Sequence, residues 1–265
     1  MVFNKMNEKI KKILNKKNKT KIVCLTAYSK KIASILDNHC DVVLVGDSLG
    51  SVLYNFKSTK EVTLDMMINH SKSVKQGIKK SLMVVDMPYN TYRTSKEALK
   101  NARLVIKKTK CDAIKLEGGR KIIQIVKTLI KNKIPVMGHL GILPQTDKKF
   151  TFKGQQIKEI TNLLKDAKDL EDAGIFSVVL ECVETTLAKK ITKYLKIPTI
   201  GIGSSANCDG QVLVVDDLIG LNQSKLKFVK QYADVKQVIN TAVKKYKFEV
   251  LKKQFPKSKH SFKNK

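Results

Sequence analysis

At 265 residues the chain is long enough for one (β/α)8 barrel or for two ordinary domains. Its 42% apolar content suits a soluble protein, and no apolar run approaches the ~20 residues of a membrane span, so no membrane partner is expected. The formal charge of +29 comes almost wholly from lysine: Arg93, Arg103 and Arg120 are the arginines, there is no tryptophan, and the forked guanidinium contacts and ring stacking of specific nucleic-acid recognition have little to draw on.

Residues 1–20 are basic and carry Ile10, Ile13 and Leu14 at helical spacing, which predicts a short N-terminal docking helix. The segment lacks the apolar core and cleavage site of a secretory signal. Eight strand-like runs follow, at 22–28, 42–47, 82–87, 113–117, 135–140, 176–182, 198–203 and 211–215. Most are continuous apolar runs, the pattern of parallel strands buried on both faces. Helical stripes lie between them. Thr63 can cap the segment with Leu64, Met67, Ile68 and Val74; Thr94 can cap the one with Ala98, Leu99, Ala102, Val105 and Ile106. Further stripes are Ile122, Ile123, Val126, Leu129 and Ile130, then Ile160, Leu163, Leu164, Ala167 and Leu170. Asp234 can cap a last helix with Val235, Val238, Ile239 and Ala242, and 252–265 reads as a basic, poorly ordered tail. Eight strands with intervening helices predict a single (β/α)8 TIM barrel domain over 1–265; a doubly wound open sheet is the alternative, since pattern alone does not show closure. None of the five cysteines forms a CxxC pair, and Cys24 and Cys182 lie in apolar runs, which predicts buried thiols in a reducing, cytoplasmic setting.

The chemistry gathers where the strand-like runs end. The second run meets Gly46-Asp47-Ser48, the third Asp86-Met87-Pro88, and the fourth contains Lys115 and ends in Glu117-Gly118-Gly119. The fifth ends in His139 and the sixth in Glu181. In a parallel barrel those ends form the catalytic mouth, where acids from three strands can converge on one hard cation. Lys115 and Glu117 are two apart on a strand and share a face; a buried lysine there needs an anion. Glu181, after an apolar run, is partly desolvated and placed to act as a general base. The polar segment 146–156, after the fifth strand, is a candidate lid.

In order, these residues resemble the ketopantoate hydroxymethyltransferase (3-methyl-2-oxobutanoate hydroxymethyltransferase) family. The match runs through Thr26-Ala27-Tyr28, 45–50, Asp86-Met87-Pro88, 115–119, 138–141 with Pro144-Gln145, 180–183, 197–203 with Asp209-Gly210-Gln211, and His260-Ser261-Phe262. The resemblance implies a barrel assembled as a homodecamer. It also implies transfer of a hydroxymethyl group from 5,10-methylenetetrahydrofolate to 3-methyl-2-oxobutanoate, giving ketopantoate on the pantothenate route. It makes Asp47 and Asp86 the Mg²⁺ ligands, with Glu117 completing the site directly or through water. Asp47, Ser48, Asp86 and Lys115 become contacts to the oxo acid, with His139 a further candidate, and Glu181 becomes the proton acceptor. A related reading is another Mg²⁺-dependent, enolate-forming barrel of the isocitrate lyase/phosphoenolpyruvate mutase type. The chain departs from the family pattern at Ser29, Leu143, Glu184 and Val215, and the 146–156 loop is shorter, lacking a glycine pair and a tyrosine.

Overall fold

The computed structural model describes residues 7–147, 151–222 and 224–262. Eight parallel strands close into a barrel in chain order: β1 (Ile22–Thr26), β2 (Val42–Val45), β3 (Leu82–Asp86), β4 (Ala113–Glu117), β5 (Val136–Gly141), β6 (Ser177–Glu181), β7 (Thr199–Ile202) and β8 (Gly210–Leu213), with β8 pairing back to β1. The connecting helices are α2 (Lys30–Leu36), α3 (Leu49–Tyr54), α4 (Leu64–Lys75), α5 (Ser95–Thr109), α6 (Ile123–Lys131), α7 (Ile157–Asp172) and α8 (Thr185–Tyr194). Each of the eight expected strands is present, and the sheet is closed rather than open. Strands β2, β3, β4 and β5 are buried along their whole length, Asp86, Lys115, Glu117 and His139 included, as strands covered on both faces are. The expected caps form at Thr63 and Thr94, whose side chains accept from the Met66 and Glu97 N–H groups.

Closure depends on a floor. Helix α1 (Glu8–Asn15) contributes Ile10 and Ile13 to one apolar cluster with Ile22, Val42, Leu82, Met137 and Ile200 from the barrel. Lysines on the helix and just past its end find acids at the lower ends of the strands: Lys9 lies 3.4 Å from Asp112, and Lys16 and Lys17, after the last helical residue, lie 2.6 Å from Asp41 and 2.8 Å from Asp209. Asp209 also accepts from the Asn18 and Thr199 N–H groups. The Lys17–Asp209 pair is buried on both sides. Part of the lysine excess is therefore structural, not merely a solvated coat.

The chain forms two compact units, Met1–Val215, which holds the eight strands, and Asp216–Lys265. The second unit holds most of the short helix α9 (Val215–Leu218) and the 17-residue α10 (Val235–Leu251), capped by Asp234 as expected. None of the α10 residues is buried, so its apolar stripe does not pack as the sequence pattern suggests. The tail is more structured than expected through Phe262: Phe255 sits 5.5 Å from the Tyr246 ring and 5.3 Å from His260, and 258–260 form a 3-10 turn. Residues 263–265 lie outside the described residues. Among the described residues no helix is long and apolar enough to cross a membrane.

Removing one partner of a buried, hydrogen-bonded ion pair leaves an uncompensated charge. Asp209→Ala is therefore expected to cost about 3–5 kcal/mol of stability in urea unfolding at neutral pH. A loss below ~1 kcal/mol would show that Lys17 does not anchor α1.

Candidate active site

Strand register brings the predicted residues together. Asp86 ends β3 opposite Lys115 on β4; Glu117 ends β4 opposite His139 on β5; Gly141 ends β5 opposite Glu181 on β6. All lie toward the C-terminal ends of the strands, with Asp47 just beyond β2. Gly46 permits the sharp exit from β2, since a Cβ there would lie 2.8 Å from Ser48 Oγ. Gly141 turns with φ +100, and a Cβ there would sit 2.0 Å from the Glu181 carbonyl oxygen.

Four groups are buried in one cluster: Asp47, Asp86, Lys115 and Glu117, each at most 5% exposed. The Asp47 N–H donates to Asp86 Oδ2 at 3.1 Å. Lys115 Nζ lies 3.1 Å from Asp86 Oδ1. His139, also buried, places Nδ1 3.4 Å from Glu117 Oε1 and Nε2 3.3 Å from Glu181 Oε2, so it bridges a proposed metal acid and the proposed base. Ser48 Oγ is 2.8 Å from the Tyr28 hydroxyl.

The electrostatics follow from burial and sign. Burial, then the charges of Asp86 and Glu117, push the Asp47 carboxyl up to about 8. Burial also raises Asp86, against the pull of Lys115. Burial works to raise Glu117 too, but His139, Lys115 and the Gln145 N–H outweigh it and hold that carboxyl below its usual range. Burial works against the Lys115 charge, yet Asp86, Glu117 and Asp47 together push its pKa up. For His139, burial and Lys115 oppose a charged ring; Glu117 and Glu181 prevail, and its pKa rises to about 9.

This donor set suits a small divalent cation. Asp86 Oδ1 is buried without a directed hydrogen bond and meets only the Lys115 ammonium as a charge. Among the described residues no three His, Cys, Asp or Glu side chains converge closely enough to bind one ion directly. A hard cation here would be held by one or two of these carboxylates, with Asp47 and Asp86 the candidates and Glu117 near enough to assist.

Two contributors lie off the strands, and neither was among the candidate site residues. Gln145, from the loop after β5 and 1% exposed, donates its N–H to Glu117 Oε2 at 3.1 Å and its amide Nε2 to Asp47 Oδ2 at 2.8 Å. Tyr92, from the loop after β3, donates to Gln145 Oε1. The Pro144-Gln145 match was the sequence signal for the first; nothing pointed to Tyr92. The same β5 loop is held farther along, where the Lys153 N–H donates to the Cys182 carbonyl and the Lys153 carbonyl accepts from Glu184 N–H, both at 2.8 Å. Residues 148–150 of the candidate lid lie outside the described residues. Glu184, a departure from the family pattern, caps α8 by accepting from the Thr186 and Leu187 N–H groups.

Residues 7–258 match the ketopantoate hydroxymethyltransferase family. A 3-methyl-2-oxobutanoate hydroxymethyltransferase of Pelagibacter ubique is 68% identical over 257 residues, covering 97% of this chain and 100% of the relative. One from Rhizobium etli is 47% identical, covering 91% and 90%. Among solved structures, 2,3-dimethylmalate lyase, a member of the PEP mutase/isocitrate lyase superfamily, superposes with a TM-score of 0.61 at 10% identity over 96% of this chain and 88% of its own. Phosphonopyruvate hydrolase in complex with oxalate and Mg²⁺ gives 0.62 at 7% identity over 95% and 93%. At such low identity these structural likenesses establish the barrel fold alone. A match spanning nearly the whole chain, at more than two-thirds identity to a relative matched along its full length, means that the chain belongs to the ketopantoate hydroxymethyltransferase family.

Proposed function

We propose that this chain transfers a hydroxymethyl group from 5,10-methylenetetrahydrofolate to 3-methyl-2-oxobutanoate, forming ketopantoate. The observation that supports the mechanism is a buried network at the barrel mouth in which the Asp47 N–H and Lys115 meet Asp86, and Gln145 links Asp47 to Glu117. Asp47 and Asp86 would hold Mg²⁺, with Glu117 completing the site through water. When bound, the metal polarises the ketone and takes up the negative charge that builds on its oxygen.

The protein groups do the rest. Lys115 and Ser48 receive the oxo acid, and Lys115 offsets its charge in a site closed to bulk water. Glu181, 15% exposed in its side chain, accepts the proton from the branched carbon. His139 sits between the base and the acid cluster, with Nε2 3.3 Å from Glu181 Oε2 and Nδ1 3.2 Å from Lys115 Nζ and 3.4 Å from Glu117 Oε1. The carbon nucleophile then bonds to the folate methylene, whose C–N bonds give way; water supplies the hydroxyl oxygen, and tetrahydrofolate leaves.

The homodecamer implied by the family resemblance is part of this reading. Helix α10 supports it, with Val238 67%, Val243 58%, Tyr246 57% and Leu251 70% exposed, more apolar surface than a lone helix leaves in water. A cytoplasmic setting is supported by the five free, buried cysteines, which a reducing compartment keeps as thiols.

Following ketopantoate by NMR, with folate or Mg²⁺ withheld in turn, tests the reaction: product is expected only with both present. Asp47→Ala and Asp86→Ala should each lower kcat by at least about 100-fold; turnover at the parent rate in either would remove that acid from the site. Glu181→Gln should halt exchange of the branched-carbon hydrogen in D₂O, a loss of order 10²-fold or more, while still binding the oxo acid. Undiminished exchange would take the base role from Glu181. Sedimentation velocity should give a species several chains in size, and Val243→Glu with Tyr246→Lys should shift it to smaller ones. A parent chain that runs as a monomer would count against the assembly.

A further inference from the structure

We infer that Gln145 and Tyr92 form a positioning relay that fixes the carboxylate of Asp47 for cation binding. The inference deepens the metal reading above and rests on it. Gln145 is 1% exposed, and every polar atom of its amide has an assigned partner. Nε2 donates to Asp47 Oδ2 at 2.8 Å and to the Met87 carbonyl at 3.0 Å, which uses both of its hydrogens. Oε1 accepts from the Tyr92 hydroxyl at 2.5 Å.

The amide has one workable orientation. Flipped, its oxygen would face two acceptors, the Asp47 carboxylate and the Met87 carbonyl, and its NH₂ would face the tyrosine. Tyr92 is largely buried beside Glu117 and keeps its proton, so its hydroxyl is a dependable donor. The chain of donors therefore runs one way, from Tyr92 through Gln145 to Asp47. It occupies Oδ2 of Asp47 and leaves the other oxygen for a ligand. The backbone N–H of the same residue holds Glu117 Oε2 at 3.1 Å, so one loop residue ties together two acids from different strands. Outer partners of metal-binding carboxylates set their orientation and affinity in this manner. Tyr92 and Gln145 act in this relay through the carboxylates they hold.

The test is Mn²⁺ affinity, read from the electron paramagnetic resonance of free Mn²⁺ with the full-length protein and no folate. The parent chain should bind one Mn²⁺. Gln145→Leu should weaken binding by about 10- to 100-fold, the range found when an outer partner of a metal ligand is removed. Tyr92→Phe deletes one hydroxyl, keeps the ring, and should weaken binding in the same direction by a smaller factor. The double variant should bind no more weakly than Gln145→Leu alone, because Tyr92 acts through the amide. General loosening of the fold would not give that non-additive pattern. Parent-like affinity in both single variants would overturn the relay while leaving the metal site standing. Fully additive losses would overturn it as well, by showing that Tyr92 acts independently. A parent chain that binds no Mn²⁺, even with 3-methyl-2-oxobutanoate present, would bring down the metal reading and this inference with it.

Discussion

The site is governed by a charge imbalance in a place closed to water. Four carboxyl groups, on Asp47, Asp86, Glu117 and Glu181, face two basic groups, Lys115 and His139. With all six ionised, two negative charges are left over, and Asp47, Asp86 and Glu117 are each at most 5% exposed. Burying unpaired charge is costly enough that a group neutralises or finds a partner. Burial and the neighbouring Asp86 and Glu117 charges raise the Asp47 carboxyl to about 8, and burial raises Asp86 as well. A divalent cation has the charge that removes this excess. The same imbalance explains the buried lysine, whose ammonium is stable there because acids surround it.

The barrel separates this chemistry from its own stability. At the floor, lysines of α1 and of the turn after it meet aspartates at the lower ends of the strands, and two isoleucines of the helix join the apolar cluster. At the mouth the excess is acidic. Alternation along each strand does the sorting. Lys115 and Glu117 share one face of β4, and register sets Asp86 beside Lys115 and His139 beside Glu117. A one-residue slip would turn that set out of the barrel and under the surrounding helices, so the packing that closes the barrel also fixes the spacing of the acids.

What was legible in the sequence was what a strand or a helix face determines. Val42–Val45 and Leu82–Asp86 are unbroken buried runs, and the acid at or beyond the end of each had to lie at one mouth. Gln145 and Tyr92 escaped notice as site residues because loops deliver them, and loop paths leave no periodicity to read. Helix α10 shows the opposite failure. Its stripe of Val235, Val238, Ile239 and Ala242 has helical spacing, but spacing states only that a face is apolar, not what covers it, and no residue of the helix is buried. Glu184 departs from the family pattern yet caps α8, a task for which its carboxylate suits the N-terminal N–H groups.

The loop after β5 joins the two halves of the chemistry. Near its start, Gln145 is bound to the acids of β4 and of the turn after β2; near its end, Lys153 is paired in parallel with the chain leaving β6, within two residues of Glu181. Asp147 and Lys153 also form an ion pair at 3.0 Å, and the Asp147 carboxylate accepts from Leu143 N–H. A swing of the whole loop as a flap would break these bonds together, each worth about 1 kcal/mol net, and would also leave the Gln145 amide without partners. Such a loop acts as a strap. It holds the proposed cation-binding acids and the proposed base in one frame.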